Sequence, residues 1–108
     1  MSELDPAEVF RQEAADLIET LEQALLDLER RPDDSELVGL AFRALHTLKG
    51  GARLAGLKPL GDISHDFETY LLELEKRREA PTQEDFQPMV NWYDQIVRGM
   101  ESVARSAR

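Results

Sequence analysis

A histidine and a lysine three residues apart, followed at once by two glycines, form the most chemically suggestive stretch of this chain. The stretch reads ALHTLKGG and contains His46, Lys49, Gly50 and Gly51. It lies within a segment of helical periodicity, where each glycine costs about 1 kcal/mol relative to alanine. An exposed imidazole beside an ammonium group suits nucleophilic chemistry on an anionic group, such as the acceptance of a phosphoryl group.

Helical geometry predicts that His46 faces away from the core. At 100° per residue, the apolar stripe of its helix lies roughly opposite the imidazole, which therefore points outward or along a groove. Lys49 can bring its ammonium beside the ring and offset the charge of an arriving phosphate. The rest of this surface is predicted to meet a partner and comprises Phe42, Gly50 and Arg53.

The two glycines are predicted to have different roles. Gly50 lies about 40° around the helix from His46, where a missing side chain leaves room for another molecule. Gly51 lies about 140° away, where it lets a neighbouring helix pack closely. An ordinary surface histidine and a glycine pair at a helix end are the commoner interpretations. The apolar pattern nevertheless continues through Leu54 and Ala55, which favours an unbroken helix.

A phosphoryl-accepting histidine also needs an acceptor that holds its second ring nitrogen as N–H. The following helical segment contains SHDFE, in which Glu68 could reach His46 across a helix interface, with His65 nearby. Both residues are displaced from the apolar face of Phe67. Periodicity alone therefore favours an ordinary solvated carboxylate for Glu68.

Composition excludes several other kinds of chemistry. The chain has no cysteine and only two histidines, nineteen residues apart, which predicts neither a disulfide nor a metal site. No serine lies in a strained strand-to-helix turn, so a serine triad is unsupported. A net charge of −9 argues against nucleic acid as a partner. Without a leader or a long apolar run, we expect a cytoplasmic protein that does not bind membranes.

Four segments of helical periodicity separated by short breaker-rich connections predict an all-α fold. We expect an up-down-up-down antiparallel four-helix bundle forming a single domain over 1–108. Thr82 and Asp85 resemble a capping box at the start of the last helix. Pro88 suggests that this helix either starts a turn later or is kinked. The predicted helices span about 7–30, 35–55, 60–79 and 83–105.

The segment HTLKGGARLAG, from His46 to Gly56, resembles the signature of histidine phosphotransfer (HPt) domains. The preceding AFRALHTLKGG and the later HDFE resemble the N-terminal phosphotransfer domain of CheA-type chemotaxis kinases. The continuation ARLAG is similar to the version in the large CheA-like hybrid kinases of type IV pilus and twitching systems. The resemblance covers most of the chain, from about Val9 to Arg78.

The resemblance implies that His46 accepts a phosphoryl group and passes it to an aspartate of a response-regulator receiver domain. It further implies that Lys49 lies beside the phosphate, and that Glu68, supported by His65, orients the imidazole. Such a domain resembles a substrate more than an enzyme and is similar to one piece of a histidine kinase. It binds no cofactor itself, and a kinase catalytic domain would supply ATP and Mg²⁺.

Two interpretations from other classes remain beside the relay. The first is a helical interaction module that is not phosphorylated but keeps the partner surface, although every motif position is filled. The second is a metal-binding bundle enzyme, which would need more inward carboxylates and histidines than this chain has. As an isolated domain, the chain is expected to be monomeric.

Overall fold

Four α-helices account for nearly all of the described chain. The computed structural model describes residues 5–106, and the remaining residues of the predicted domain, 1–4 and 107–108, lie outside this range. No helix in the described part is long and apolar enough to cross a membrane. The observed helix ends lie within two residues of the predicted ones. The helices are α1 (Pro6–Arg30), α2 (Ser35–Leu54), α3 (Lys58–Arg77) and α4 (Gln83–Ser106).

Short connections force consecutive helices to run antiparallel. A helix as long as α2, with 20 residues, spans about 30 Å, whereas a connection of four residues reaches at most about 14 Å. Each helix therefore begins close to the end of the previous helix and runs back alongside it. Helix α2 contacts α1 and α3, while α4 contacts α3 and α1, which closes the bundle. Its extents are 51 × 21 × 20 Å.

Side-chain caps begin the first two helices. The carboxylate of Asp5 accepts a hydrogen bond from the backbone N–H of Ala7 at 2.9 Å. The carboxylate of Asp34 accepts one from the N–H of Glu36 at 3.1 Å. Each bond satisfies an N–H group that has no partner within its helix, typically stabilising the helix by about 1 kcal/mol.

Helix α2 ends in a closed turn rather than at the glycine pair. Gly56 adopts the left-handed conformation with φ of 78°, which glycine tolerates without a Cβ clash. The N–H of Leu57 donates to the carbonyl of Ala52 at 2.8 Å, and the N–H of Gly56 donates to the carbonyl of Arg53 at 3.1 Å. These bonds form a Schellman motif, so α2 continues unbroken through Gly50 and Gly51.

The ends of α3 differ slightly from the predicted ones. It begins at Lys58 rather than at residue 60, because the fixed φ and missing N–H of Pro59 are compatible with the first turn of a helix. It ends at Arg77, where Arg78 turns left-handed with φ of 59°. Helix α4 begins at Gln83, as its predicted bounds have it, so the alternative of a later start does not apply and Pro88 lies inside the helix.

The core contains the predicted apolar faces but extends further around α2 than the predicted stripe. Leu40 is 37% exposed, although it lies three residues after buried Leu37 and four before buried Ala44. Val38, Leu45 and Ala52, on the α3 side of the helix, are buried instead. The reason is that α2 packs on both α1 and α3, so its buried face is wider than one stripe.

Gly51 allows α1 to approach α2 closely. A Cβ atom at this position would lie 3.0 Å from Cδ1 and 3.1 Å from Cε1 of Phe10. Phe10 itself is buried in the core, so its ring has little freedom to move. A larger residue at position 51 would displace the ring.

Candidate functional site

The imidazole of His46 lies on the exposed face of α2, close to α3. Its side chain is 66% exposed, as the helical geometry predicts. One turn earlier, the ring of Phe42 stacks on the imidazole with centroids 6.1 Å apart and planes 16° from parallel. This contact restricts the ring orientation while leaving one edge open to a visiting molecule.

Glu68 of α3 contacts both His46 and Lys49 of the α2 motif. Its Oε2 lies 2.7 Å from Nδ1 of His46, and its Oε1 accepts a hydrogen bond from Nζ of Lys49 at 2.6 Å. An ionised carboxylate only accepts hydrogen bonds, so Nδ1 must carry the hydrogen. In the neutral ring, Nε2 is then left with its lone pair, as a nucleophile requires.

The carboxylate of Glu68 is held in its charged form although it is buried. Burial opposes ionisation, but the hydrogen bonds from Lys49 and His46, with the positive charge of Lys49, outweigh it. The pKa of Glu68 is consequently lowered below the ordinary value of 4.5. The site therefore contains a permanent acceptor for the imidazole N–H at neutral pH.

The buried position of Glu68 differs from what periodicity alone favours. Only 5% of the residue is exposed, although it lies off the main apolar face of α3. The side chains of Lys49 and His46 reach across from α2 and cover it. A periodicity analysis of one helix cannot detect a groove that a neighbouring helix closes with polar side chains.

Lys49 makes a bond that the sequence pattern did not predict. Its ammonium, expected beside the imidazole, donates to Glu68 on the oxygen that His46 does not use. Its side chain is only 14% exposed. Lys49 therefore neutralises and fixes the carboxylate, and it remains within the same cluster as the imidazole.

The other predicted site residues surround this cluster at greater distance. Nδ1 of His65 lies 3.8 Å from Oε1 of Glu68, beyond hydrogen-bond length, with its side chain 52% exposed. Gly50 is exposed, and a Cβ atom there would have nothing within 4 Å. Arg53 is exposed and extends across the N-terminal end of α3.

One residue that shapes the site was missed by sequence reasoning. Gly61 is buried on α3, and a Cβ atom there would lie 3.0 Å from Cγ of Arg53 and 3.7 Å from the carbonyl oxygen of Lys49. Its missing side chain lets α2 and α3 approach closely near the carboxylate. A glycine inside the helical pattern of α3 was the signal that could have identified it.

Within residues 5–106, no group of three or more histidine, cysteine, aspartate or glutamate side chains could hold a metal ion. No buried side-chain nitrogen or oxygen atom in this part of the chain lacks a hydrogen-bond partner. The cluster provides one exposed imidazole with a fixed tautomer. It contains no phosphate-binding loop of its own.

The bundle and the site together define a class of protein: a helical domain that presents one oriented, nucleophilic histidine to other molecules. Comparison with known proteins identifies the class more closely. Residues 7–105 match the Hpt domain family, so the chain belongs to that family. It is a histidine phosphotransfer domain.

Its relatives include the chemotaxis protein CheA of several organisms. The chain is 36% identical over 98 residues to CheA of Rhizobium meliloti (strain 1021), covering 91% of this chain and 13% of the relative. It is 39% identical over 66 residues to CheA of Salmonella typhimurium (strain LT2), covering 61% of this chain and 10% of the relative. The chain thus spans about an eighth or less of the length of these relatives.

A solved structure shares the fold. The CheA phosphotransferase domain from Thermotoga maritima superposes with a TM-score of 0.84 at 31% sequence identity. The alignment covers 96% of this chain and 99% of that domain. The family match and the CheA relatives confirm the predicted HPt resemblance, and the solved structure confirms the all-helical bundle.

Proposed function

We propose that His46 is the phosphoryl acceptor of a chemotaxis-like phosphorelay. The observation that carries this assignment is the 2.7 Å contact between Nδ1 of His46 and the buried carboxylate of Glu68. It leaves Nε2 exposed and unprotonated in the neutral ring. The family membership and the CheA relatives support the same assignment.

The chemistry at His46 follows from this hydrogen bond. The lone pair of Nε2 attacks the γ-phosphorus of ATP held by a kinase domain, and the phosphorus–oxygen bond to ADP breaks. Because Nδ1 keeps its proton, the ring becomes cationic as the nitrogen–phosphorus bond forms. Glu68 lies against this charge and stabilises it, as the carboxylate of a serine-protease triad stabilises an imidazolium.

Transfer onward reverses these steps. An aspartate oxygen of a receiver domain attacks the phosphorus, the nitrogen–phosphorus bond breaks, and its electron pair returns to Nε2. The ring becomes neutral again and remains bonded to Glu68. Lys49 keeps the buried carboxylate ionised through both transfers, while His65 lies 3.8 Å from the same carboxylate.

The remaining parts of the relay belong to partners in this proposal. A histidine kinase catalytic domain provides ATP and Mg²⁺, and a response-regulator receiver domain provides the aspartate. The exchange takes place in the cytoplasm, and the isolated domain acts as a monomer. Phe42, Gly50 and Arg53 form the surface that meets these partners. The narrower resemblance to hybrid kinases of type IV pilus systems stays a prediction.

The proposal is tested by incubating the chain with a CheA-type kinase domain and labelled ATP. We expect one label per chain that is acid-labile and alkali-stable, and none above background for His46→Gln. His65→Gln tests the second histidine, and we expect it to reach the same final extent of labelling at a lower rate. Labelling of His46→Gln equal to that of wild type would contradict the assignment, whereas a wild-type chain that takes up no label would favour the non-phosphorylated interaction module.

A further inference from the structure

One leucine near the site is almost completely exposed. Leu54, the last residue of α2, is 90% exposed, more than any other large apolar residue in the described part of the chain. It lies eight residues after His46, which places it about 12 Å along the helix and about 80° around it. Scattered exposed leucines are common, so the exposure of Leu54 indicates a binding surface only together with the surface around it.

The surface between His46 and Leu54 is open. Gly50 lies between them on the exposed side of α2, and the space within 4 Å of its Cβ position is empty. A partner that reaches Nε2 of His46 can therefore continue along α2 to Leu54 without meeting a side chain at position 50.

This end of the site presents two cations to solvent within an acidic protein. Lys49 is neutralised by Glu68, so the exposed cations between residues 47 and 64 are Arg53 and Lys58, beside one carboxylate, Asp62, against a net charge of −9 overall. Arg53 is exposed, with its stem across Gly61. Lys58 donates to Asp62 at 2.7 Å with its side chain 83% exposed, a pairing that is weak in water.

The surface on the other side of His46, toward the start of α2, has an excess of negative charge. Beyond Phe42, a surface hollow is lined by the carboxylates of Asp34, Glu36 and Glu75. The one cation of this lining is Arg43, whose Nη1 lies over Gly39, 3.3 Å from its Cβ position and away from His46. An acidic partner would be repelled there and attracted toward the α2–α3 turn.

We propose that the aspartate-bearing acceptor docks from His46 toward the α2–α3 turn, with Leu54 as its apolar anchor. Arg53 and Lys58 face carboxylates of the acceptor. This inference rests on the proposed function. An aspartate that accepts a phosphoryl group with Mg²⁺ must lie among further carboxylates that hold the ion, so the rim of such an acceptor is acidic.

The test measures transfer from the phosphorylated chain to a receiver domain over a range of receiver concentrations. For Leu54→Ala we expect the half-saturating receiver concentration to rise about 10-fold, as for an anchor residue at an interface, with little change in the maximal transfer rate. The matched control is Leu26→Ala, which removes a leucine that is 53% exposed on α1 and should leave both values unchanged.

A charge variant tests the second part of the inference. Arg53→Gln combined with Lys58→Gln should raise the half-saturating concentration about 3- to 10-fold and weaken its dependence on salt. Binding of the unphosphorylated variants to the receiver, measured by calorimetry, should weaken in parallel. This second measurement does not depend on the chemistry at His46.

The outcomes separate this inference from the function on which it rests. If Leu54→Ala behaves like Leu26→Ala in both transfer and binding, the docking inference is wrong while the relay stands. If Leu54→Ala slows only phosphorylation by the kinase, Leu54 belongs to a kinase surface and the inference is equally wrong. If wild type is never phosphorylated at His46, the relay itself fails, and the docking inference with it.

Discussion

Two carboxylates of this domain, Glu68 and Asp85, each bind a cationic side chain and a second group, but they have different roles. Glu68 lies between α2 and α3 and binds His46 and Lys49. Asp85 lies in the first turn of α4 and binds Arg77 at 2.6 Å and the backbone N–H of Thr82 at 2.7 Å. Both have a lowered pKa, yet only Glu68 touches an exposed nucleophile.

The causes of the two pKa shifts differ. For Asp85, the hydrogen bonds from Arg77 and Thr82 outweigh a smaller effect of burial and lower the pKa from 3.8 to about 2. For Glu68, burial is the largest single influence and opposes the charge that its partners stabilise. A buried carboxylate that stays ionised beside a reactive ring indicates a functional site. A surface aspartate that caps a helix indicates only where that helix starts.

The largest expected difference between the two carboxylates is in the rate of phosphorylation after each is replaced by its amide. Glu68→Gln should lower the rate at which His46 is phosphorylated by about 10- to 100-fold, because an amide neither stabilises the cationic ring nor fixes its tautomer. Asp85→Asn should leave the rate unchanged. Labelling kinetics with circular dichroism as a check of folding would decide, and equal rates for the two variants would remove Glu68 from the mechanism.

Stability should separate the two variants in the opposite sense. Asp85→Asn weakens the bond to Arg77 and the cap that Thr82 shares, so the free energy of unfolding should fall by about 1 kcal/mol at neutral pH. Urea denaturation measures this difference. Tyr70 donates from its hydroxyl to the backbone carbonyl of residue 85 at 2.7 Å, a bond that the substitution leaves intact. An unchanged midpoint would show that the cap contributes nothing.

Acid titration of the same variant gives the smallest effect. Because folding lowers the pKa of Asp85 from 3.8 to about 2, its contribution to stability is complete above about pH 4 and is lost as the pH falls through about 2. The difference in unfolding midpoint between wild type and Asp85→Asn should therefore shrink between pH 4 and pH 2. A difference that stays constant over this range would contradict the role of the charge.

The fold was largely predictable because its determinants are local. Apolar periodicity, proline breakers and the left-handed position of Gly56 indicate where helices run and end, and these act within a few residues. The small errors occurred where the pattern of one helix does not show its surroundings. Pro59 interrupts the apolar pattern but lies in the first turn of α3. Leu40 is exposed, while Val38, Leu45 and Ala52 are buried because α2 packs against both α1 and α3.

The site was predictable only in part, because its geometry depends on two helices meeting. The exposure of His46 follows from one helix, and Glu68 was identified as a candidate acceptor. The burial of Glu68 and its bond to Lys49 depend on how closely α2 and α3 approach, which Gly61 permits. The residue pattern of a single helix cannot predict the distance between α2 and α3.

Gly50 has a further consequence for the thermodynamics of the free domain. An alanine there would meet no atom within 4 Å and would raise the stability of α2 by about 1 kcal/mol through helix propensity alone. The isolated domain is therefore less stable than its own backbone permits at this position. Under the proposed function, this lost stability accompanies the open surface along which partners reach His46.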